Sequence, residues 1–146
     1  MKSYLVIAFD GNCRDALALY QRAFNVTLVE LVHYKDMKLA SGAEMPYKNM
    51  LETCSKDKIS SAVLKFGNMT VQLTDFPEVF VNQPTERISI CINDTEENIR
   101  RAYSVLGERG MIAVPLQKNM FSDSHAMIMD EFGVLWVFNR IDSVKF

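Results

Sequence analysis

Two histidines, three cysteines and a scatter of carboxylates are the side chains of this 146-residue sequence best suited to chemistry. His125 stands between Asp123 and Asp130 at the head of an apolar stretch. An imidazole there can serve as acid, base or metal ligand near neutral pH. It can equally be a strand-end histidine beside solvent. His33 follows Glu30 at a spacing that, on an extended chain, turns the two side chains to opposite faces, so they make no ligand pair. Cys13, Cys54 and Cys91 contain no C-x-x-C pair, which reads as reduced thiols behaving as small apolar groups. Arg87 offers a guanidinium to a carboxylate or phosphate, or to a surface ion pair. Trp136, Phe138 and Phe121 can stack on a planar molecule or fill a core. Ser61 and Gln72 are polar side chains in otherwise apolar stretches, and alternation is expected to set them on opposite faces of two strands. These residue types assign no catalytic residue.

Such side chains need elements to hold them. Residues 4–9 are apolar and partly β-branched, which predicts a strand. Asp10-Gly11-Asn12 breaks it, and Asn12 can cap a helix. Ala16, Leu17, Leu19, Tyr20, Ala23 and Phe24 then recur at helical spacing. Residues 26–34 read as a second strand. Residues 35–57 are polar and lysine-rich, which predicts a long loop, either a lid or a surface excursion. Met37, Met45 and Met50 would give that loop soft contacts. Residues 59–66 and 69–74 flank Gly67-Asn68 and predict a hairpin.

The same order then recurs. Residues 88–92 form a strand, and Asp94 with Glu97 forms a capping box. Ile99, Ala102, Tyr103 and Leu106 make one helical stripe. Residues 111–114 form a strand closed by Pro115, and residues 125–129 and 135–139 flank a turn at 130–133. The repeat predicts a single α+β domain over 1–146, with a first half of about 1–83 and a second of about 84–146. Each half is a βαβββ unit. The two are expected to form one curved mixed sheet with helices outside and a concave face for a small molecule.

Composition bounds the partners. A formal net charge of −2 does not suit nucleic acid, which calls for a basic face. No apolar run nears the ~20 residues of a membrane span. The opening residues lack the long apolar core of a secretory signal, so a cytoplasmic protein is expected. A chain this long buries roughly 70% of its unfolded surface and needs no disulfide or structural metal to fold.

The stretch Tyr4-Leu5-x-x-x-Phe9-Asp10-Gly11-Asn12-Cys13-Arg14-Asp15-Ala16-Leu17-x-x-Tyr20-x-x-Ala23-Phe24 resembles the opening of PhnB-like proteins. These form a branch of the glyoxalase/bleomycin-resistance, or vicinal oxygen chelate, superfamily. Residues 59–67 resemble that branch's first hairpin. Pro115-Leu116-x-x-x-Met120-Phe121 and Asp130-Glu131-Phe132-Gly133-Val134-x-Trp136-x-x-Asn139 resemble its ending. The resemblance implies paired βαβββ units, a homodimer, and either metal-dependent chemistry or metal-free binding of a small organic ligand. Superfamily enzymes hold a divalent metal with four side chains, and counting along this chain puts Ser3 or Tyr4, Val71, Arg87 and Val137 at those places. A shift of one residue would bring in Gln72. None of the four suits a cation, so no cofactor is expected. The branch's usual histidine is Ser61 here, and its Phe-Trp pair is Phe121-Ser122. The leading expectation is therefore a metal-free binding protein using Arg87, Trp136, Phe121, His125, Ser61 and Gln72. The alternatives are an enzyme whose site is rebuilt around His125, with Glu44 or Asp123 recruiting a metal, and a dimeric scaffold without a ligand.

Overall fold

The computed structural model of the protein describes residues 1–37, 57–75, 88–119 and 122–141. The chain divides into two compact units. One contains Met1–Tyr20 and Asn25–Gln83, the other Gln21–Phe24 and Pro84–Phe146.

In the first unit, strand β1 (Leu5–Phe9) leads into helix α1 (Cys13–Ala23). Strand β2 (Thr27–His33) follows and ends in a short 3-10 turn, Tyr34–Asp36. Strands β3 (Ile59–Phe66) and β4 (Met69–Asp75) complete a four-stranded sheet in the order β1-β4-β3-β2. β1 runs parallel to β4, and the other pairs are antiparallel. The hairpin closes at Gly67, whose φ of 58° is the left-handed conformation that a tight turn needs and that glycine adopts without strain.

Alternation decides the faces. Phe9, Ala62, Leu64, Phe66, Val71 and Leu73 are buried, as are Ala16, Leu17, Leu19 and Tyr20 of α1. The rings of Phe9 and Tyr20 lie 6.4 Å apart. This face is the core of the unit. The opposite face carries Val6, Ala8, Ser61, Val63, Gln72 and Thr74, and of these only Thr74 is buried. The helix start is held from far along the chain. Asp75, 2% exposed, accepts hydrogen bonds from the Cys13 N–H and the Ile59 N–H, each at 2.9 Å. The Asn12 carbonyl accepts from Asp15 and Ala16, and the carboxylate that meets the first helical N–H is that of Asp75.

The second unit repeats the plan. Strand β5 (Ser89–Asp94) leads to helix α2 (Glu96–Gly107), then β6 (Met111–Gln117), β7 (His125–Met129) and β8 (Leu135–Arg140). The sheet order is β5-β8-β7-β6, again with one parallel pair. Ile99, Ala102 and Leu106 of α2 are buried, as are Ile90, Ala126, Ile128, Trp136 and Phe138 of the sheet, and α2 packs on β6, β7 and β8. Phe24 joins this core, its ring 4.7 Å from that of Trp136.

The α+β class and the paired βαβββ plan hold, with three corrections of detail. Among the described residues the strands form two four-stranded sheets rather than one continuous sheet. The cap of α2 is Thr95, whose side chain accepts from the Asn98 N–H, while Asp94 accepts from the Thr95 N–H and the Asn98 side chain. β6 runs through Pro115 to Gln117 because it is an edge strand. Its register shifts between Val114 and Gln117, so the missing proline N–H leaves no inner ladder bond unmade. Most of the expected loop, residues 38–56, lies outside the described residues.

Candidate functional site

Each sheet has a face without a helix of its own, and on the second unit that face carries a connected polar cluster. The 130–134 turn opposes Met129 to Leu135, and the antiparallel register then opposes His125 to Asn139. The parallel pairing of β5 with β8 opposes Asn93 to Asn139 and Cys91 to Val137. Asn93, Asn139 and His125 therefore form one row across three strands, with Cys91 beside it.

The contacts follow the row. His125 Nδ1 lies 2.9 Å from Asn139 Oδ1. Asn139 Nδ2 donates to Asn93 Oδ1 and to Cys91 Sγ, each at 3.3 Å. Cys91 Sγ also lies 3.7 Å from Asn93 Oδ1. Half-buried Met127, Met129, Leu135 and Val137 share this face with the cluster. The opposite neighbours Ala126, Ile128, Trp136 and Phe138 are buried in the core. The outcome is a polar row within a half-buried apolar surround.

The expected residues distribute unevenly. His125 belongs to the cluster. Trp136 does not face it. The indole is 0% exposed, it donates through Nε1 to Asp130 at 2.9 Å, and it packs on Phe24, so it is a core residue. Arg87, Phe121 and Glu44 lie outside the described residues. Asp123 is engaged by Lys118 at 3.4 Å and by Arg140 at 3.8 Å.

Ser61 and Gln72 sit on the same face of the first sheet, not on opposite faces. Gln72 opposes Val63, two residues from Ser61, and Gln72 Nε2 donates to Ser61 Oγ at 3.1 Å. His33 pairs with Asp36, 4.0 Å away, and not with Glu30. Cys91, Asn93 and Asn139 are absent from the expected set. The turn at 130–133 carried a signal for Asn139, since counting outward from it places Asn139 opposite His125.

The register also tests the metal positions. Val71 is fully buried on the helix side of its sheet, and the next residue, Gln72, is on the open face. The second hairpin has a longer turn, and there Val137 does face outward. The paired positions on the neighbouring strands are Val6 and Cys91. Val6 and Val137 supply no donor atom. Among the described residues no three His, Cys, Asp or Glu side chains are grouped to hold a metal ion.

A second polar region lies at the start of α1, a cavity of about 270 Å³ bordered by Asn12, Arg14, Asp15, Lys58 and Asp75. Its central donors are already satisfied. Asp75 meets the Cys13 N–H, and Lys58 Nζ donates to the Gly11 carbonyl.

The solved structures give this architecture a name. Protein PA1353 from Pseudomonas aeruginosa matches with a TM-score of 0.75 and 26% identity, over 96% of this chain and 97% of that one. A PhnB protein from Bacillus cereus matches with a TM-score of 0.70 and 19% identity, over 96% and 99%. The chain has the fold of these two proteins. The fosfomycin resistance protein FosX from Listeria monocytogenes, in complex with Mn(II) and 1S,2S-dihydroxypropylphosphonic acid, shares the fold more distantly. Its TM-score is 0.60 at 10% identity, over 96% of this chain and 91% of that one. Protein YjdN of Escherichia coli K12 is 22% identical over 92% of each chain. No family model matches the chain. No helix among the described residues is long and apolar enough to cross a membrane. Within the PhnB-like fold, the polar row occupies the helix-free side of the second sheet.

Proposed function

We propose that this protein binds a small organic molecule on the helix-free face of its second sheet, without a metal. The observation that carries this reading is the row Asn93, Asn139 and His125 with Cys91, set among half-buried Met127, Met129, Leu135 and Val137. Methionine side chains adapt to varied ligand shapes, and a fixed polar row supplies orientation. FosX carries Mn(II) in this fold, whereas Val6 and Val137 offer no donors here. The proposal extends to a homodimer in a reducing cytoplasm. Exposed Val29 and Leu31 on edge strand β2, and Met111 and Ile112 on edge strand β6, support an apolar interface. Free Cys13 and Cys91 suit a reducing compartment.

Thermal unfolding with a panel of metabolites and aromatic drugs tests this reading. A ligand at a hundred times its Kd stabilises the native state by about 2.7 kcal/mol. The midpoint should rise equally with and without EDTA, and His125→Ala should remove the rise. A rise that needs Mn(II) or Ni(II) overturns the metal-free reading. No rise with any compound favours the dimeric scaffold. The alternative enzyme would use His125 as its acid or base, which is favoured by an Nε2 with no partner among the described residues. Turnover that survives His125→Ala excludes that role.

A further inference from the structure

We infer that Asn139 fixes His125 as a hydrogen-bond acceptor at Nε2, so that this face selects ligands presenting an O–H or N–H donor, of the phenol or imide type, over carboxylates. This rests on the small-molecule reading above and names its ligand class. An amide carbonyl only accepts, so the Nδ1 that faces Asn139 Oδ1 at 2.9 Å must carry the proton. A neutral imidazole carries one ring proton, and Nε2 is left with a lone pair.

The Asn139 amide is itself held from its other side. Its NH2 group meets Asn93 Oδ1 and Cys91 Sγ, each at 3.3 Å. With Asn93 Oδ1 and Cys91 Sγ on its amino side, the Asn139 amide presents its carbonyl to His125. A row of side chains from strands β5 and β8 thus stands behind the tautomer on strand β7. The polar positions beside His125 add no charge. Gln117 opposes it on β6 and Asn139 on β8, and Cys91 is the other titratable group of the row. No acidic or basic side chain among the described residues pairs with His125. A carboxylate arriving at Nε2 would meet a lone pair, and among the described residues no cation pairs with His125. A phenol would donate into that lone pair and lay its ring toward Met127, the next residue of the strand on that face.

The test uses the full chain at about pH 8, above the ordinary histidine range near 6.5. The chain has two histidines, so His33→Gln leaves one imidazole to follow by long-range proton–nitrogen NMR. The expected spectrum has Nδ1 protonated and Nε2 bare. Phenol and benzoate are then titrated against the Met127 and Met129 methyl signals. Phenol should bind about tenfold more tightly, the factor that 1.4 kcal/mol corresponds to. In Asn139→Leu the preference should fall to about twofold and the Nε2–H tautomer should appear, as expected for an imidazole that has lost one charge-neutral hydrogen bond.

A wild-type spectrum showing Nε2–H overturns the inference. If phenol still binds in that case, the small-molecule reading stands. A bare Nε2 with no response to either probe overturns the ligand class and counts against the binding face itself. An undiminished phenol preference in Asn139→Leu removes Asn139 from the role.

Discussion

Asp75→Asn isolates the contact that joins the start of α1 to the sheet of the first unit. Asp75 is 2% exposed, and its two oxygens receive separate backbone N–H groups, Cys13 on one side and Ile59 on the other. Asparagine keeps one acceptor and turns an NH2 group toward the second N–H. One charge-assisted hydrogen bond is lost and a buried donor is left facing another donor, which together cost about 3 kcal/mol. Removing the negative charge from a helix N-terminus adds up to about 1 kcal/mol. For a chain of this length, that predicts a fall in Tm of roughly 10 °C. Asp57→Asn is the matched control, since Asp57 is exposed and meets Lys35 only at 3.8 Å. It should change stability by no more than about 0.5 kcal/mol. Thermal circular dichroism measures both variants, and amide exchange locates the loss at Cys13 and Ile59. Equal midpoints for the two variants, or unchanged exchange at those amides, would refute the reasoning.

Four further outcomes are expected. Gly110→Ala would place a Cβ 2.5 Å from the Leu106 carbonyl oxygen and 2.6 Å from that of Met129, so urea unfolding should show a loss of about 2–3 kcal/mol; a variant as stable as the parent would show that this corner yields. Asp130→Ala removes the acceptor shared by the Phe132 N–H, the Val134 N–H and Trp136 Nε1. It should cost about 3 kcal/mol and shift the emission of the single tryptophan, and an unchanged spectrum would count against the buried contact. Burial, with Asp75 nearby, pushes the Cys13 thiol up to about 12, so mild iodoacetamide at pH about 8 should label exposed Cys91 and spare Cys13; comparable rates would contradict this. The Ser124 hydroxyl, followed by Arg100, holds the Glu96 carboxyl below its ordinary value. The unfolded chain then binds more protons in that window, so this contribution is present above the unfolded pKa and is lost as pH falls through the folded one. Ser124→Ala should flatten the acid limb of a stability–pH curve, and an identical limb in the variant would exclude the link.

The sequence by itself determined what local rules govern. Apolar spacing set both helices and their buried stripes, since Ala16, Tyr20, Ile99 and Leu106 reach a core only at helical period. Gly67-Asn68 and the 130–133 turn set both hairpins, and the repeat of strand, helix, strand and hairpin set the fold class. Several features needed the tertiary structure. Asp75 caps a helix from 62 positions away, a relation that no local pattern carries. Trp136 and His125 were equal candidates for a ligand, and the face each occupies separated them. Strand parity depends on turn length, which is why equal counts from Gly67 and Gly133 landed on a buried Val71 and an outward Val137. The row of Asn93, Asn139 and His125 exists because a parallel and an antiparallel pairing align three strands at one level. Strand pairing is a long-range choice, and it gave this chain its candidate site.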